Sequence, residues 1–343
     1  MELYFKKYRI FLKHSFGISR SKNTWYDVLF IYLKEDELVG RGEAAPSIRY
    51  NESIKLIENI LSKGINLPKN NSDYLSIWSF IYPQLMGIKS LEAAFSMALL
   101  DFFAQKKQQT VYEFLKIKYI KSHKTSFTIA LGHINEIEQK IKESLPYDIL
   151  KVKLGTLNDD RSIIREIRKY TDKKIRVDAN EGWSLDKAIS LCKWLYDYNI
   201  ELIEQPFPAN QLYNTLKLKE NSPLDIYADE NCCSLQDIHK IHSAFDGVNI
   251  KLMKCGSITE GLKIIRLAKK YDLKVMLGCM IESSIGITAA AQLAGEVDLI
   301  DLDGNLLIKN DPYIGIEIIN GFLSLNGKSG LGLNLKKPVN GLY

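Results

Sequence analysis

From residue 125 to residue 303 the chain repeats one unit: a short apolar strand, a loop and an amphipathic helical stretch. This recurrence limits the possible folds more than any other feature of the 343 residues. Strand patterns stand at 125–130, 149–153, 175–178, 200–204, 225–229, 247–252, 274–278 and 299–303, and apolar residues at helical spacing fall between them at 160–170, 185–198 and 259–270. Strands alternating with crossover helices build a parallel sheet. Eight such units close into an α/β fold of the (β/α)8 type.

Polar residues stand at or near the ends of five of these strands. Lys153, Asp178, Glu204, Asp229 and Lys251 follow one another at intervals of 25, 26, 25 and 22 residues, about one unit each. Charged groups at the C-terminal rim of such a barrel read as catalytic, because the loops that build the site lie there. Three carboxylates on neighbouring strands form a hard oxygen cage suited to Mg2+. A carboxylate at a strand end can also cap the next helix, and Asp178 and Asp229 are both open to that use. Lys153 and Lys251 lie on opposite sides of the ring, so one amine can take a proton from one face of a bound carbon while the other returns it to the opposite face. Lys151 shares a strand face with Lys153, with Val152 on the other. Both faces of a parallel strand are covered, so these ammonium groups need anions opposite them.

The first 115 residues have a different texture. Tyr8, Ile10 and Leu12 are spaced by two, 28–33 is an apolar run, and 38–46 ends in small residues and proline, which together read as an antiparallel sheet. The polar stretch 15–24 reads as an exposed loop carrying Arg20 and Lys22. Leu91, Ala94, Phe95, Ala98, Leu99, Phe102 and Phe103 keep helical spacing, with Ser90 as the expected N-cap. The expected organisation is an α+β capping domain at 1–115, the barrel at 116–321, and a glycine- and asparagine-rich segment at 322–343 that returns to the cap.

Composition removes several function classes. The net charge of +5 comes from scattered lysines, which argues against a nucleic-acid surface. No run of about 18 apolar residues occurs, so no membrane span is expected. Five cysteines without a CxxC spacing or nearby paired histidines indicate a reduced, cytoplasmic protein with no zinc site, and the charged N-terminus lacks a signal-peptide core.

The segments Lys151-Val152-Lys153, Asp178-Ala179-Asn180-Glu181-Gly182-Trp183, Glu204-Gln205-Pro206, Ala228-Asp229-Glu230 and Asn249-Ile250-Lys251-Leu252-Met253-Lys254 resemble, in order and spacing, the muconate lactonizing subgroup of the enolase superfamily. Gly42-Glu43-Ala44-Ala45-Pro46 extends the resemblance into the cap. It implies that Asp178, Glu204 and Asp229 bind one Mg2+ per subunit, that Lys153 and Lys251 are the acid/base pair, and that Lys151 adds positive charge beside the substrate carboxylate. Lysine titrates near 10.4, so a working base must have its pKa lowered. Asp301 and Asp303 resemble the pair with which dipeptide epimerases hold the substrate's α-ammonium. Cys279 and Ile281 fall in the segment that lines the peptide, and Thr128 matches a substrate-contacting threonine. With Arg20 and Lys22 favouring an acidic side chain, as in L-Ala-D/L-Glu epimerases, the resemblance implies epimerisation of a small dipeptide of murein metabolism by 1,1-proton transfer through an ene-diolate. A homo-oligomer is compatible with it. A cycloisomerase or o-succinylbenzoate synthase of the same subgroup, and a non-catalytic binding barrel, are the alternatives.

Overall fold

The computed structural model describes residues 1–18, 21–68, 73–119, 123–130, 134–155 and 159–343, without the side chains of Ile18 and Ser21. Its N-terminal part is a three-stranded antiparallel sheet of β1 (Glu2–Ile18), β2 (Ser21–Glu35) and β3 (Leu38–Ala44). The stretch expected to be a loop is mostly strand. After an irregularity between Phe11 and Phe16, pairing resumes at Phe16 with Asn23 and Gly17 with Lys22, so backbone hydrogen bonding carries the hairpin on where side-chain polarity suggested a loop. Arg20 lies outside the described residues.

Three helices follow, α1 (Ile54–Ser62), α2 (Tyr74–Ile81) and α3 (Lys89–Lys106). Every residue of α3 from Ser90 to Ala104 is buried. On one side it lies against β3 almost backbone to backbone: a Cβ at Gly42 would come within 1.9 Å of the Ala94 carbonyl oxygen. On another it meets the barrel, where Ile258 N–H donates to Ser96 Oγ at 3.3 Å. Ser90 is not the N-cap. Ile88 holds that position, and the Glu52 carboxylate accepts from Lys89 N–H (2.6 Å) and Ser90 N–H (3.1 Å). A charged acceptor from elsewhere in the cap thus meets the positive helix end that a serine was expected to serve.

The rest is a nearly closed parallel barrel of β4 (Phe127–Ile129), β5 (Ile149–Lys153), β6 (Lys174–Asp178), β7 (Ile200–Glu204), β8 (Asp225–Ala228), β9 (Gly247–Ile250), β10 (Lys274–Gly278) and β11 (Leu299–Asp301), hydrogen-bonded in chain order. At the seam Thr125 bridges Ile300 in parallel, and Ser126 N–H donates to the Ile300 carbonyl at 3.4 Å. An α-helix follows each of β4 to β10. After β11, among the described residues, there is a 3₁₀ turn (Gly304–Leu307) and no α-helix. The chain leaves for the cap there: Ile308 bridges Leu12 and Lys309 N–H donates to the Phe11 carbonyl at 2.8 Å. The tail continues over the cap, with Leu331 N–H on Asp101 Oδ1 (2.7 Å) and Arg41 Nε on the Tyr343 carbonyl (2.8 Å). The main apolar core lies between the strands, the outer helices and the cap. A small separate cluster of Leu202, Tyr227, Met276 and Leu299 packs together on β7, β8, β10 and β11.

Candidate active site

Alternation along β5 sends Val152 into the main core and leaves Lys151 and Lys153 on the charged face. Parallel register then sets neighbours side by side, Lys153 with Asp178 and Asp178 with Glu204. Asp229 stands just past β8 and Lys251 just past β9. Neither Asp178 nor Asp229 caps a helix, because Ser184 and Ser234 occupy those N-caps.

The ring is built from short contacts. Lys153 Nζ donates to Asp178 Oδ2 at 2.7 Å, and Lys251 Nζ donates to Asp229 Oδ2 at 2.6 Å. Lys151, 2% exposed, has Nζ at 2.7 Å from Asp301 Oδ2, 2.7 Å from Glu204 Oε2 and 3.3 Å from Asp178 Oδ2. Ligand oxygens of Asp178, Glu204 and Asp229 lie within 4.8 Å of one another. Glu204 Oε2 is buried and, although close to Lys151, receives no aligned hydrogen bond among the described residues. A buried oxygen without a donor, in a cage of two further carboxylates, fits a hard divalent cation.

The charges set one another's protonation. Burial opposes ionisation of Asp229, but Lys251 and Lys254 hold it well below the usual carboxylate range. Burial likewise opposes ionisation of Asp178, and Lys153 and Lys151 hold it low. Burial and the Asp178 charge push Glu204 up to about 8. Lys251 departs from the expectation of a lowered base: burial pulls its pKa down, but Asp229 and Glu204 outweigh burial and raise it. A cation on those carboxylates would draw on the same negative charge and weaken that hold.

Beside the ring, Asp301 Oδ1 accepts from Ser126 Oγ at 2.5 Å while its Oδ2 faces Lys151. Asp303 Oδ2 accepts from the Thr128 N–H at 2.6 Å, and burial together with Asp301 pushes Asp303 up to about 7. Cys279 Sγ donates to the Asp301 carbonyl at 3.5 Å, and burial raises its thiol pKa well above the ordinary value, so it braces the strand end as a protonated donor. Ile281 is buried two residues further on. Thr128 and Phe16 also line a cavity of about 500 Å³ between the cap hairpin and β4, and Lys153 Nζ lies 5.9 Å from the centre of the Phe16 ring.

Three contributors were not singled out from sequence. Lys254 Nζ donates to Asp229 Oδ1 (2.5 Å) and to the Asn249 carbonyl (2.9 Å). Asn249 Nδ2 donates to Glu204 Oε1 at 2.9 Å. Ser126 holds Asp301. Asn249 was readable, since it precedes Lys251 by two and shares its strand face. A Cβ at Gly278 would strike the Asn249 amide at 2.4 Å, which explains the glycine ending β10. The cap reaches the same rim, where Arg49 pairs with Glu181 through both carboxylate oxygens at 2.7 and 2.8 Å.

A capped parallel barrel with buried lysines interleaved with carboxylates at its C-terminal rim is equipped for acid–base chemistry at carbon. The chain belongs to the enolase superfamily: residues 134–339 match the family model described as enolase C-terminal domain-like. An L-Ala-D/L-amino acid epimerase from Flavobacterium johnsoniae is 34% identical over 337 residues, covering 98% of this chain and 100% of that protein. A substrate-liganded complex of the L-Ala-D/L-Glu epimerase from Bacillus subtilis superposes with a TM-score of 0.90 at 30% identity, covering 97% of this chain and 98% of that one. The dipeptide epimerase from Cytophaga hutchinsonii, solved with Mg and D-Ala-L-Val, superposes with a TM-score of 0.89 at 30% identity, covering 98% and 95%. The chain is therefore an epimerase, an isomerase by reaction class.

Proposed function

We propose that this enzyme is a Mg2+-dependent dipeptide epimerase that inverts the α-carbon of the C-terminal residue, with L-Ala-D-Glu and L-Ala-L-Glu as its pair. The observation that carries the reading is the ring itself: Lys153 on Asp178 and Lys251 on Asp229, flanking Glu204, with Asp301 and Asp303 alongside. The site belongs to the barrel, read as residues 116–321, beneath a cap of residues 1–115 and 322–343.

In this mechanism one lysine enters as a neutral amine and takes the α-proton from its face of the carbon. The C–H electron pair moves into the substrate carboxylate, giving an ene-diolate. The opposite lysine, entering as an ammonium, donates its proton to the other face, and the configuration is inverted. Lys151 holds a fixed positive charge where the carboxylate gains negative charge. Asp301 and Asp303 receive the free ammonium of the first residue, and they would repel a substrate carrying a carboxylate there, which weighs against a cycloisomerase. Mg2+ held by Asp178, Glu204 and Asp229 would supply the cationic charge that makes a doubly negative species accessible.

The test is deuterium exchange. With Mg2+ in D2O, L-Ala-L-Glu should lose its glutamate α-proton signal and yield L-Ala-D-Glu, and chelation should stop both. No exchange across acidic, apolar and basic dipeptides would overturn the reading.

A further inference from the structure

One buried acid takes no part in that mechanism and ties the cap to the site. Glu43, at the end of β3, is fully buried. Its Oε1 accepts from Ser283 N–H at 2.9 Å, and its Oε2 accepts from Ser283 Oγ at 2.6 Å and from Gly286 N–H at 3.0 Å. These donors open the helix Ser284–Ala291, directly after the 279–283 loop. The helix end has other acceptors: Ser284 N–H donates to Asp311 Oδ2 at 2.9 Å, and Ile285 N–H to Ser283 Oγ at 3.2 Å. At this helix end Glu43 therefore serves Ser283 and Gly286, while Ser284 and Ile285 are met by other acceptors.

What Glu43 adds is a connection. Glu282 Oε1 accepts from Met280 N–H at 2.7 Å, which folds the loop back on itself. A Cβ at Gly286 would come within 2.2 Å of Glu282 Oε2, so both carboxyl groups pack on one helix turn where any side chain would displace the Glu282 carboxylate. The folded loop lies directly on the end of β11: a Cβ at Gly304 would come within 2.6 Å of the Met280 carbonyl oxygen and 3.1 Å of Glu282 N. Cys279 reaches the Asp301 carbonyl, and Asn305 Nδ2 donates to Ser284 Oγ at 3.2 Å. An unbroken run of contacts leads from the cap carboxylate to Asp301 and Asp303.

We propose that Glu43 is a positioning residue for epimerisation, a carboxylate of the cap that sets the 279–283 loop and, through it, Asp301 and Asp303 around the substrate's ammonium. This rests on the dipeptide reading above. Burial works against the arrangement, pushing Glu43 up to about 7 while the Ser283 and Gly286 donors and the Asp311 charge act on it in opposite directions. A glutamine could offer a single accepting oxygen, and its NH2 would face an N–H donor, so Glu43→Gln loosens the loop while nearly preserving volume.

The experiment combines kinetics with backbone hydrogen exchange on Glu43→Gln, Ser283→Ala and the double variant. Ser283→Ala removes one hydroxyl and is the milder change should Glu43→Gln fold poorly. With L-Ala-L-Glu and saturating Mg2+, each single variant should raise KM about tenfold with kcat within about twofold, the pattern of lost uniform binding. The double variant should be no worse than the poorer single, because both break one link. Amide exchange should quicken at 279–283 and 301–305 but not at 149–153. A loss confined to kcat, additive effects, or unchanged exchange at 301–305 would overturn the role of Glu43. The exchange measurement does not depend on turnover, so a wild type that epimerises nothing overturns the function and leaves this readout to decide the Glu43 link.

Discussion

Lys151 and Lys153 stand two residues apart on one strand, and their surroundings divide the work between them. Lys151 is enclosed by Asp178, Glu204 and Asp301, and these three charges raise its pKa well above the ordinary value against the effect of burial. In the proposed reaction Lys151, held by three carboxylates, is the fixed charge. Lys153 has Asp178 on one side and the Phe16 ring on the other. Its Nζ thus meets one carboxylate where that of Lys151 meets three, and the proposed reaction gives it the proton transfer. Lys153→Ala should therefore abolish inversion by about a thousandfold or more, within the range for losing a general acid or base, yet still exchange the α-proton of one stereoisomer through Lys251. Lys251→Ala should exchange the other stereoisomer instead. Proton NMR of L-Ala-L-Glu and L-Ala-D-Glu in D2O distinguishes the two, and exchange of both isomers by Lys153→Ala would refute the division.

At the scale of elements, the strand ends were legible because two local rules suffice there. Period-two alternation chooses the face, and the recurrence of one unit chooses the rim, so Lys153, Asp178, Glu204, Asp229 and Lys251 could be placed together without knowing any contact. The features that escaped all depend on partners distant in sequence. Glu52 displaces Ser90 at the start of α3, Lys151 occupies one oxygen of Asp301, and Glu43 reaches Ser283 across 240 positions. No spacing rule encodes such pairs, because sheet closure and the docking of the cap create them. The crowded helix at Ser284–Ala291 also yields a pH effect. Burial first, and then the Glu43 charge, push Glu282 from the ordinary 4.5 up to about 8. An acid whose pKa is higher in the folded state binds its proton more tightly there, so its contribution is complete below about pH 4.5 and is lost as pH rises toward 8, by about 1.4 kcal/mol for each pH unit crossed. Thermal midpoints of the metal-free protein should fall across pH 5 to 8, and Glu282→Gln should make that slope shallower, Glu43, Asp303 and Glu204 keeping the remainder. An equal slope in the variant would assign the effect to other groups.

The whole molecule brings strands from the full length of the barrel to one charged rim and covers it from the cap. The (β/α)8 pattern anticipated the parallel ring, but among the described residues the final unit forms no return helix, because the residues after Leu307 are committed to β1 and the rest of the cap. Closing the ring concentrates Lys151, Lys153, Lys251 and Lys254 against Asp178, Glu204, Asp229 and Asp301, so in the metal-free protein lysines serve as the counter-ions of the cage. A cation held by Asp178, Glu204 and Asp229 would add stability by binding the folded state alone, since these three carboxylates come from strand ends that meet only after closure. At a hundred times its Kd that gain is about 2.7 kcal/mol, which for a chain of this length corresponds to a rise of about 4 °C in thermal midpoint. Mg2+ titration followed by calorimetry should show a midpoint rising with the logarithm of Mg2+ concentration and falling back on chelation. Glu204→Gln, which keeps the Asn249 contact within reach but removes one ligand charge, should abolish most of the rise while remaining folded. If wild type and Glu204→Gln rose together, the cation would be acting elsewhere on the surface, and the lysines would be the cationic partners of the three carboxylates.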